Sequence, residues 1–541
     1  MTRASRPCWV LACLLCAFGC QQDFGTGGTG EMVVPQQTLR RIDPLDERGL
    51  ATTRATTEPT TRPAPLGAVE VPLTLERVRQ LTLQNNLDLK VDLLTPTISK
   101  QNLSAEEARF EWVFTTDASF AALDQPSSSQ LTGSQVKDLQ VNPGVNIPLR
   151  TGGTLSFNVP MERFETNNQF STLNPSFTSD AQVALTQPLL RGFGTDVTAQ
   201  PIRIAFYRYQ ESEATTKLEV IRVLADADRA YWRLYAARQV LVVRKQEYDL
   251  GVAQLERARR QVAAGTVAEV DVVRAESGVA DRLEAIIIAD NIVRDREREL
   301  KRILNEPDLG MGADAILVPA STPRGVSWEL NAERIVDRAM NGRMELLEQE
   351  LRIAEETANI AFARNDLLPL VTLEYRYNVN GLGGDLGESF TQVRDANFQD
   401  HTVGVHVEVP LGNGAARARL RAALASRLQQ LATKEQRQLQ IRQEVYNAVD
   451  QLEANWQRYL AARKRVELAA RVLEVEIRQF NQGLRTSTDV LDAQTRLANA
   501  RSDEIAALTE HQIAQVDIAF ATGTLLGASH VDWQPVKAPE K

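Results

Sequence analysis

Residues 265–275 read GTVAEVDVVRA and residues 483–493 read GLRTSTDVLDA. Laid over one another without a gap, Gly265 meets Gly483, Asp271 meets Asp489, Val272 meets Val490 and Ala275 meets Ala493. Similarity of a chain to itself at long range marks a duplicated unit. The match extends outward. Pro188-Leu189 in VALTQPLL meets Pro410-Leu411 in VHVEVPL, and Asn86-Leu87-Asp88-Leu89 meets Arg343-Met344-Glu345-Leu346. The offset changes along the way, which places a longer insertion between the strands of the first half. The body reads as two tandem copies of one unit, 71–328 and 329–527, with a C-terminal tail at 528–541.

Each copy shows the same order of periodicities. A helical stretch (73–94 and 97–111; 329–367) precedes alternating strands, a very long helix (200–262; 414–481), a glycine break and a returning helix (268–304; 486–525). Gly265 and Gly483 stand where a helix C-cap needs positive φ, so each break predicts a tight αα turn. Asp271 and Asp489 then fall in the first turn of the returning helix, where the helix dipole favours carboxylates. The second long helix carries a 4-3 seam: Val445, Val449, Leu452, Trp456, Tyr459, Arg463, Val466, Ala470, Leu473, Ile477 and Phe480. Such a seam predicts knobs-into-holes packing. At 1.5 Å per residue these helices are rods of roughly 95–100 Å, the wall of a tube or a stalk.

The strands carry the other half of the argument. In 402–409, Val403, Val405, Val407 and Val409 alternate with Thr402, Gly404, His406 and Glu408. In 372–379, Leu373, Tyr375, Tyr377 and Val379 alternate with Thr372, Glu374, Arg376 and Asn378. In 112–120, Trp112, Phe114, Thr116, Ala118 and Phe120 share one face, and a further pair is expected near 141–147 and 153–163. Alternation of this kind over ~9–11 residues marks a membrane β-barrel strand with its apolar face outward. A soluble sandwich would turn the same face inward. Four or six strands cannot close a pore, because a closed barrel needs about eight or more. The barrel is therefore expected to be shared between subunits under cyclic symmetry.

All four cysteines, Cys8, Cys13, Cys16 and Cys20, lie in the first twenty residues. Arg3 and Arg6, the apolar run Trp9 to Phe18 and then Gly19-Cys20 have the order of a secretory signal, 1–20, too short to span a bilayer. Ala17-Phe18-Gly19-Cys20 resembles a lipoprotein processing box, which implies a lipid on Cys20. Ala17 and Phe18 depart from the usual Leu and small residue, and an ordinary signal peptide with chance cysteines is the alternative. Cleavage before Cys20 leaves one thiol and no internal disulfide. Residues 21–70, rich in Gly, Thr, Pro and Arg (TGGTG, ATTRATTEPTTRPAP), cannot bury a core and read as a disordered linker. No other run reaches the ~18 apolar residues of a membrane helix, so any membrane passage is expected to use strands.

A net charge of −9 argues against a nucleic-acid partner. His401, His406, His511 and His530 show no HExxH or paired metal spacing, and neither GxxxxGK[ST] nor G-x-S-x-G occurs. Carboxylate pairs arise by chance in a chain that is 24% charged. The reading is of a protein without enzymatic activity, metal or cofactor.

With these residues in view, the chain resembles the TolC-like outer-membrane efflux proteins over nearly all of 71–527. The most specific match is residues 480–500, FNQGLRTSTDVLDAQTRLANA, similar to that family's tip pattern Y…GxRTxxDVLDAxxxLxxA. The duplicated hairpin and Thr186-Gln187-Pro188-Leu189 support it. The resemblance implies a mainly α fold with membrane β: a homotrimer with a β-barrel in the outer membrane and a long α-helical coiled-coil barrel in the periplasm. It implies a passive exit channel for efflux or secretion, energised by an inner-membrane transporter through a periplasmic adaptor. The hairpin tips (Gly265, Thr266, Gly483, Leu484) would meet the adaptor and form a closable entrance. Asp489 and Asp492 match the residues that constrict it, and Asp271 and Arg485 the charged pair that holds neighbouring coils closed. Phe480 is a gate contact standing where the family often has Tyr, so a phenol hydrogen bond is lost there. Asp271, Asp489 and Asp492 also fit as plain helix-start residues. Two alternatives stay open. A structural periplasm-spanning stalk would need no charged strand faces such as Glu374, Arg376 and Glu408, and an adaptor would carry one hairpin beside compact β modules. Drug, metal, polypeptide and polysaccharide all fit as cargo.

Overall fold

The computed structural model describes residues 69–126, 133–265, 268–312 and 315–531. All of them belong to one compact unit, Thr61–Lys541. The signal segment with Cys20, nearly all of the linker, and Thr266 lie outside the described residues. The strands are β1 (Val69–Leu73), β2 (Val113–Asp124), β3 (Gln135–Pro148), β4 (Thr154–Asn158), β5 (Met161–Thr166), β6 (Ser176–Pro188), β7 (Ala315–Pro319), β8 (Leu370–Gly383) and β9 (Phe398–Glu408). The main helices are α1 (Leu75–Asn85), α2 (Leu87–Asp92), α3 (Leu94–Glu107), α4 (Gln200–Ala263), α5 (Glu269–Leu304), α6 (Ala332–Gly342), α7 (Met344–Asn365), α8 (Leu386–Arg394), α9 (Gly414–Asn481) and α10 (Ser487–Ala521).

α4 and α9 run for 64 and 68 residues, rods of about 100 Å. Their composition permits it. Pro201 sits in the first turn of α4, where a missing N–H costs nothing, and α9 has no Pro or Gly beyond Gly414. α5 folds back on α4 and α10 on α9, and α10 also lies along α4, joining the two hairpins.

The expected helical stretches 73–94 and 329–367 are each broken, and at aligned positions. Asn86 (φ −57°, ψ 128°) and Arg343 (φ −76°, ψ 127°) are extended residues between two helices. Asn86 is buried, accepts from Leu89 N at 2.9 Å to cap α2, and donates from Nδ2 to the Ile303 carbonyl at 2.9 Å. Arg343 is buried too and reaches Glu345 at 2.6 Å, Glu444 at 2.8 Å and the Ala521 carbonyl at 3.1 Å. Each side chain also reaches a distant helix, Asn86 to Ile303 and Arg343 to Glu444 and Ala521, which local periodicity does not register. The returning helix expected to reach 525 stops at Ala521, because Gly523 turns the chain at φ +69°.

The seam of α9 is also shifted. Val445 and Leu452 are buried, and Trp456, Tyr459, Val466 and Leu473 are half-buried, as the 4-3 spacing expects. Arg463, Ala470 and Ile477 instead stand exposed, while Ala462 is buried and Ala469 half-buried in their place. The seven-residue repeat itself is kept, but from Leu452 on the second row follows the first by three residues rather than four: Leu452, Asn455, Tyr459, Ala462, Val466 and Ala469.

β1 and β7, unanticipated in the sequence, pair in parallel from Val69 opposite Ala315 to Leu73 opposite Pro319. The largest core surrounds them: Leu73, Val78, Leu81, Tyr231, Trp232, Leu234, Val293, Leu300 and Leu304. Tyr231, fully buried, donates to the Leu73 carbonyl at 3.1 Å and accepts from Ser321 N at 2.8 Å, tying α4 to the chain on both sides of the strand pair.

The remaining strands form one antiparallel sheet in the order β2-β3-β4-β6-β8-β9, with β5 also between β3 and β6. β4 and β5 lie end to end, interrupted at Val159-Pro160, where the expected strand 153–163 would have been continuous. The wall is thus six strand positions wide. Residues directly opposite in an antiparallel pair share a face. One row runs Phe114, Val145, Phe157, Val183, Tyr377, His401, and the next row, on the other face, runs Thr115, Gly144, Asn158, Gln182, Asn378, Asp400. Phe114, Phe120, Phe157, Val403, Val405 and Val407 leave the first face exposed and apolar. No helix among the described residues is long and apolar enough to cross a membrane.

Candidate functional site

Gly265 (φ +70°) and Gly483 (φ +75°) close the two hairpins in the left-handed region. A Cβ at either would meet nothing within 4 Å, so glycine is needed there for its backbone alone. After α9, Gly483 N donates to the Phe480 carbonyl and Leu484 N to the Gln479 carbonyl, both at 3.0 Å, satisfying the last turn. Leu484 is left 71% exposed at the tip.

The two returning helices start differently. α10 opens on a capping box: Thr486 Oγ1 accepts from Asp489 N at 3.4 Å, while Asp489 Oδ2 accepts from Thr486 N at 2.9 Å and from its hydroxyl at 2.8 Å. Those donors, the backbone one first, hold the Asp489 carboxyl below the usual range, with Arg485 adding to the effect. α5 opens on Ala268, which has no capping side chain. There Asp271 pairs with Arg274 of its own helix at 3.4 Å. Asp492, one turn beyond Asp489 on the same helix face, is exposed and makes no ion pair among the described residues.

Asp271 and Arg485 do not meet within one chain. Arg485 donates from Nε to Gln479 Oε1 at 3.0 Å and lies 3.4 Å from Glu476 Oε2, both on α9 of its own hairpin. The ring of Phe480 is engaged from the neighbouring hairpin. The Arg257 guanidinium of α4 lies 5.4 Å from its ring centroid and donates to Asn481 Oδ1 at 2.9 Å. Gln254, one turn above, donates to Ser487 Oγ at 3.0 Å. Two polar side chains of α4, spaced to share one helix face, therefore bind the tip of the other hairpin. The sequence hinted at them only through that spacing.

Deeper along the hairpins lies a node that the sequence did not reveal. Arg282 of α5 is buried, with Nε 3.6 Å from Glu247 Oε1 of α4, too long for a hydrogen bond but a close charge contact. Glu247, also buried, accepts from Arg244 at 2.9 Å. Arg282 Nη2 reaches α10 at the Leu491 carbonyl (3.4 Å), Gln494 (3.5 Å) and Thr495 (3.5 Å). It crosses α4 at Gly251, where a Cβ would stand 2.7 Å from Nη1. Among the described residues, no group of three or more His, Cys, Asp or Glu is placed to hold a metal ion.

Residues 335–524 match a family model described as outer membrane efflux protein. Nodulation protein T of Rhizobium leguminosarum bv. trifolii is 24% identical over 308 residues, 56% of this chain and 62% of its own. Outer membrane protein TolC of Vibrio cholerae serotype O1 is 25% identical over 305 residues, 55% of this chain and 66% of its own. The chain thus spans just under two thirds of the length of both relatives. Among solved structures, the outer-membrane channel OprN superposes with a TM-score of 0.62 at 18% identity, over 83% of this chain and 90% of that one. The matched segment, the named relatives and the shared fold agree: residues 335–524 carry an outer membrane efflux protein domain, and the chain is similar to TolC and shares the fold of outer-membrane channels.

Proposed function

We propose that this chain forms, as a cyclic trimer, a passive exit channel across the bacterial outer membrane and periplasm. An inner-membrane transporter energises it through a periplasmic adaptor. One observation carries the reading: an open six-position sheet with two unpaired edges and an exposed apolar face continues directly into helices about 100 Å long. An exposed apolar face of that size needs lipid, and open edges need partners. Copies of the same chain supply them, β9 of one beside β2 of the next. A stalk has no use for either feature.

Within this reading the chain is two tandem units, 71–328 and 329–527. Gly265, Thr266, Gly483 and Leu484 form the tips that meet the adaptor. Asp489 and Asp492 narrow the entrance, Asp271 and Arg485 pair between neighbouring hairpins, and Phe480 holds the tip through Arg257. Cys20 carries a lipid anchor, and the linker behind it spans the distance to the folded body. The mass of the detergent-solubilised complex, with single-channel recording in planar bilayers, tests the reading. A trimer that conducts is expected. A stable, non-conducting monomer with its full strand content would sink it. Cys20→Ala should abolish acyl labelling while the barrel still inserts, and an unmodified, cleaved N-terminus in the unsubstituted chain would end the anchor proposal.

A further inference from the structure

The geometry points to an exit pore of eighteen strands with a carboxylate-rich lining, suited to bulky hydrated cargo that is neutral or cationic and unfavourable to anions. It rests on the trimeric channel reading above. Every neighbouring pair in the sheet is in full register, and both rows traced above cross from β2 to β9 without a gap. The extra hairpin of the first half is therefore wall, not a loop laid over it. β2 leaves the helical layer after α3, and β9 returns to it before α9. One copy's β9 therefore runs antiparallel to the next copy's β2, and three copies of six positions close without a parallel seam. Strands 4.7–4.9 Å apart and tilted about 40° then give a backbone circle about 35 Å across, leaving a wet passage of roughly 20–25 Å.

The apolar face must meet lipid, so the opposite face lines this passage. On it stand Asp117, Asp138, Glu162, Asp180, Glu374 and Asp400. Arg376 carries the one guanidinium or ammonium group on that face of the described strands. Rings of like charge around a wet passage concentrate cations and repel anions.

Cysteine pairs in the full-length trimer test the wall. Pairs joining Thr116, Ala118 or Phe120 to Val403, Val405 or Val407 should form disulfide-linked dimers and trimers on denaturing gels. Neutral polymers about 20 Å across, added from the extracellular side, should enter and lower the conductance. A ladder from Leu155→Cys or Phe157→Cys with the β9 cysteines would mean that four strands per copy close the wall, which overturns the pore but leaves the channel standing. Absence of any ladder also overturns the pore, and a monomeric mass with it would take down the channel reading as well. Asp138→Asn with Asp180→Asn and Asp400→Asn should lower the cation-to-anion permeability ratio at least about twofold. An unchanged ratio would overturn the assigned lining.

Discussion

Arg282 shows how much one side chain can hold where three helices meet. Its charge is buried against Glu247, and its far nitrogen touches α10. Removing one partner of a buried ion pair strands the other, which commonly costs about 3–5 kcal/mol, whereas replacing both by apolar groups of similar volume is often neutral. Arg244 still reaches Glu247, so Arg282→Met should cost nearer the low end, about 3 kcal/mol, by chemical denaturation. Arg282→Met with Glu247→Met should recover most of it. A double variant as unstable as the single would mean that Arg282 acts through its contacts on α10 alone. Asp489 works by a different balance. Its carboxyl titrates below the unfolded value, so its stabilisation of the α10 start is complete above about pH 4. That contribution is lost as pH falls through the lower, folded value. Amide exchange at residues 487–490, compared with the rest of α10, should quicken selectively over that acid range. Asp489→Ala should show the fast rate already at neutral pH.

At the scale of elements, the breaks at Asn86 and Arg343 matter more than the length of the rods. Each lets a short helix change direction, and each is fixed by a buried polar side chain that reaches another part of the chain. Arg343 carries the heavier load, because Glu345 is itself buried and would lose its partner. Arg343→Met should lower stability by about 3 kcal/mol or more. Arg343→Lys should rescue only part, since an ammonium cannot reproduce the two-pronged contact with Glu345. Thermal melting of the detergent-solubilised protein checks both. A methionine variant that melts with the parent would show that α6 and α7 are held by apolar packing alone. The capped helix starts were set by local residues, since Thr74, Asn331, Asp385 and Thr486 each accept from a backbone N–H of the first turn. β1 and β7 were not. Five residues each and 242 residues or more apart, they make sense only beside each other and over Tyr231.

For the whole molecule, the proposed entrance depends on copies rather than on any one chain. Within one chain Asp492 is free of ion pairs among the described residues, and Asp489 spends one oxygen on its capping box. Asp489→Asn with Asp492→Asn should therefore weaken cation preference in planar bilayers without dissociating the trimer. Unchanged selectivity would reduce both aspartates to helix-start residues. The sequence by itself determined the hairpins, their glycine turns, the acidic start of each returning helix and the alternating strands, because each follows from residues within a few positions of one another. It also carried the repeat that aligns Asn86 with Arg343. The tertiary structure alone decided the parallel β1–β7 pair, the Arg282–Glu247 node, the Arg257 clasp on Phe480 and the six-position wall. Those depend on which distant side chains share a neighbourhood, and a buried charge or a strand edge is settled by whatever packs against it rather than by its neighbours along the chain.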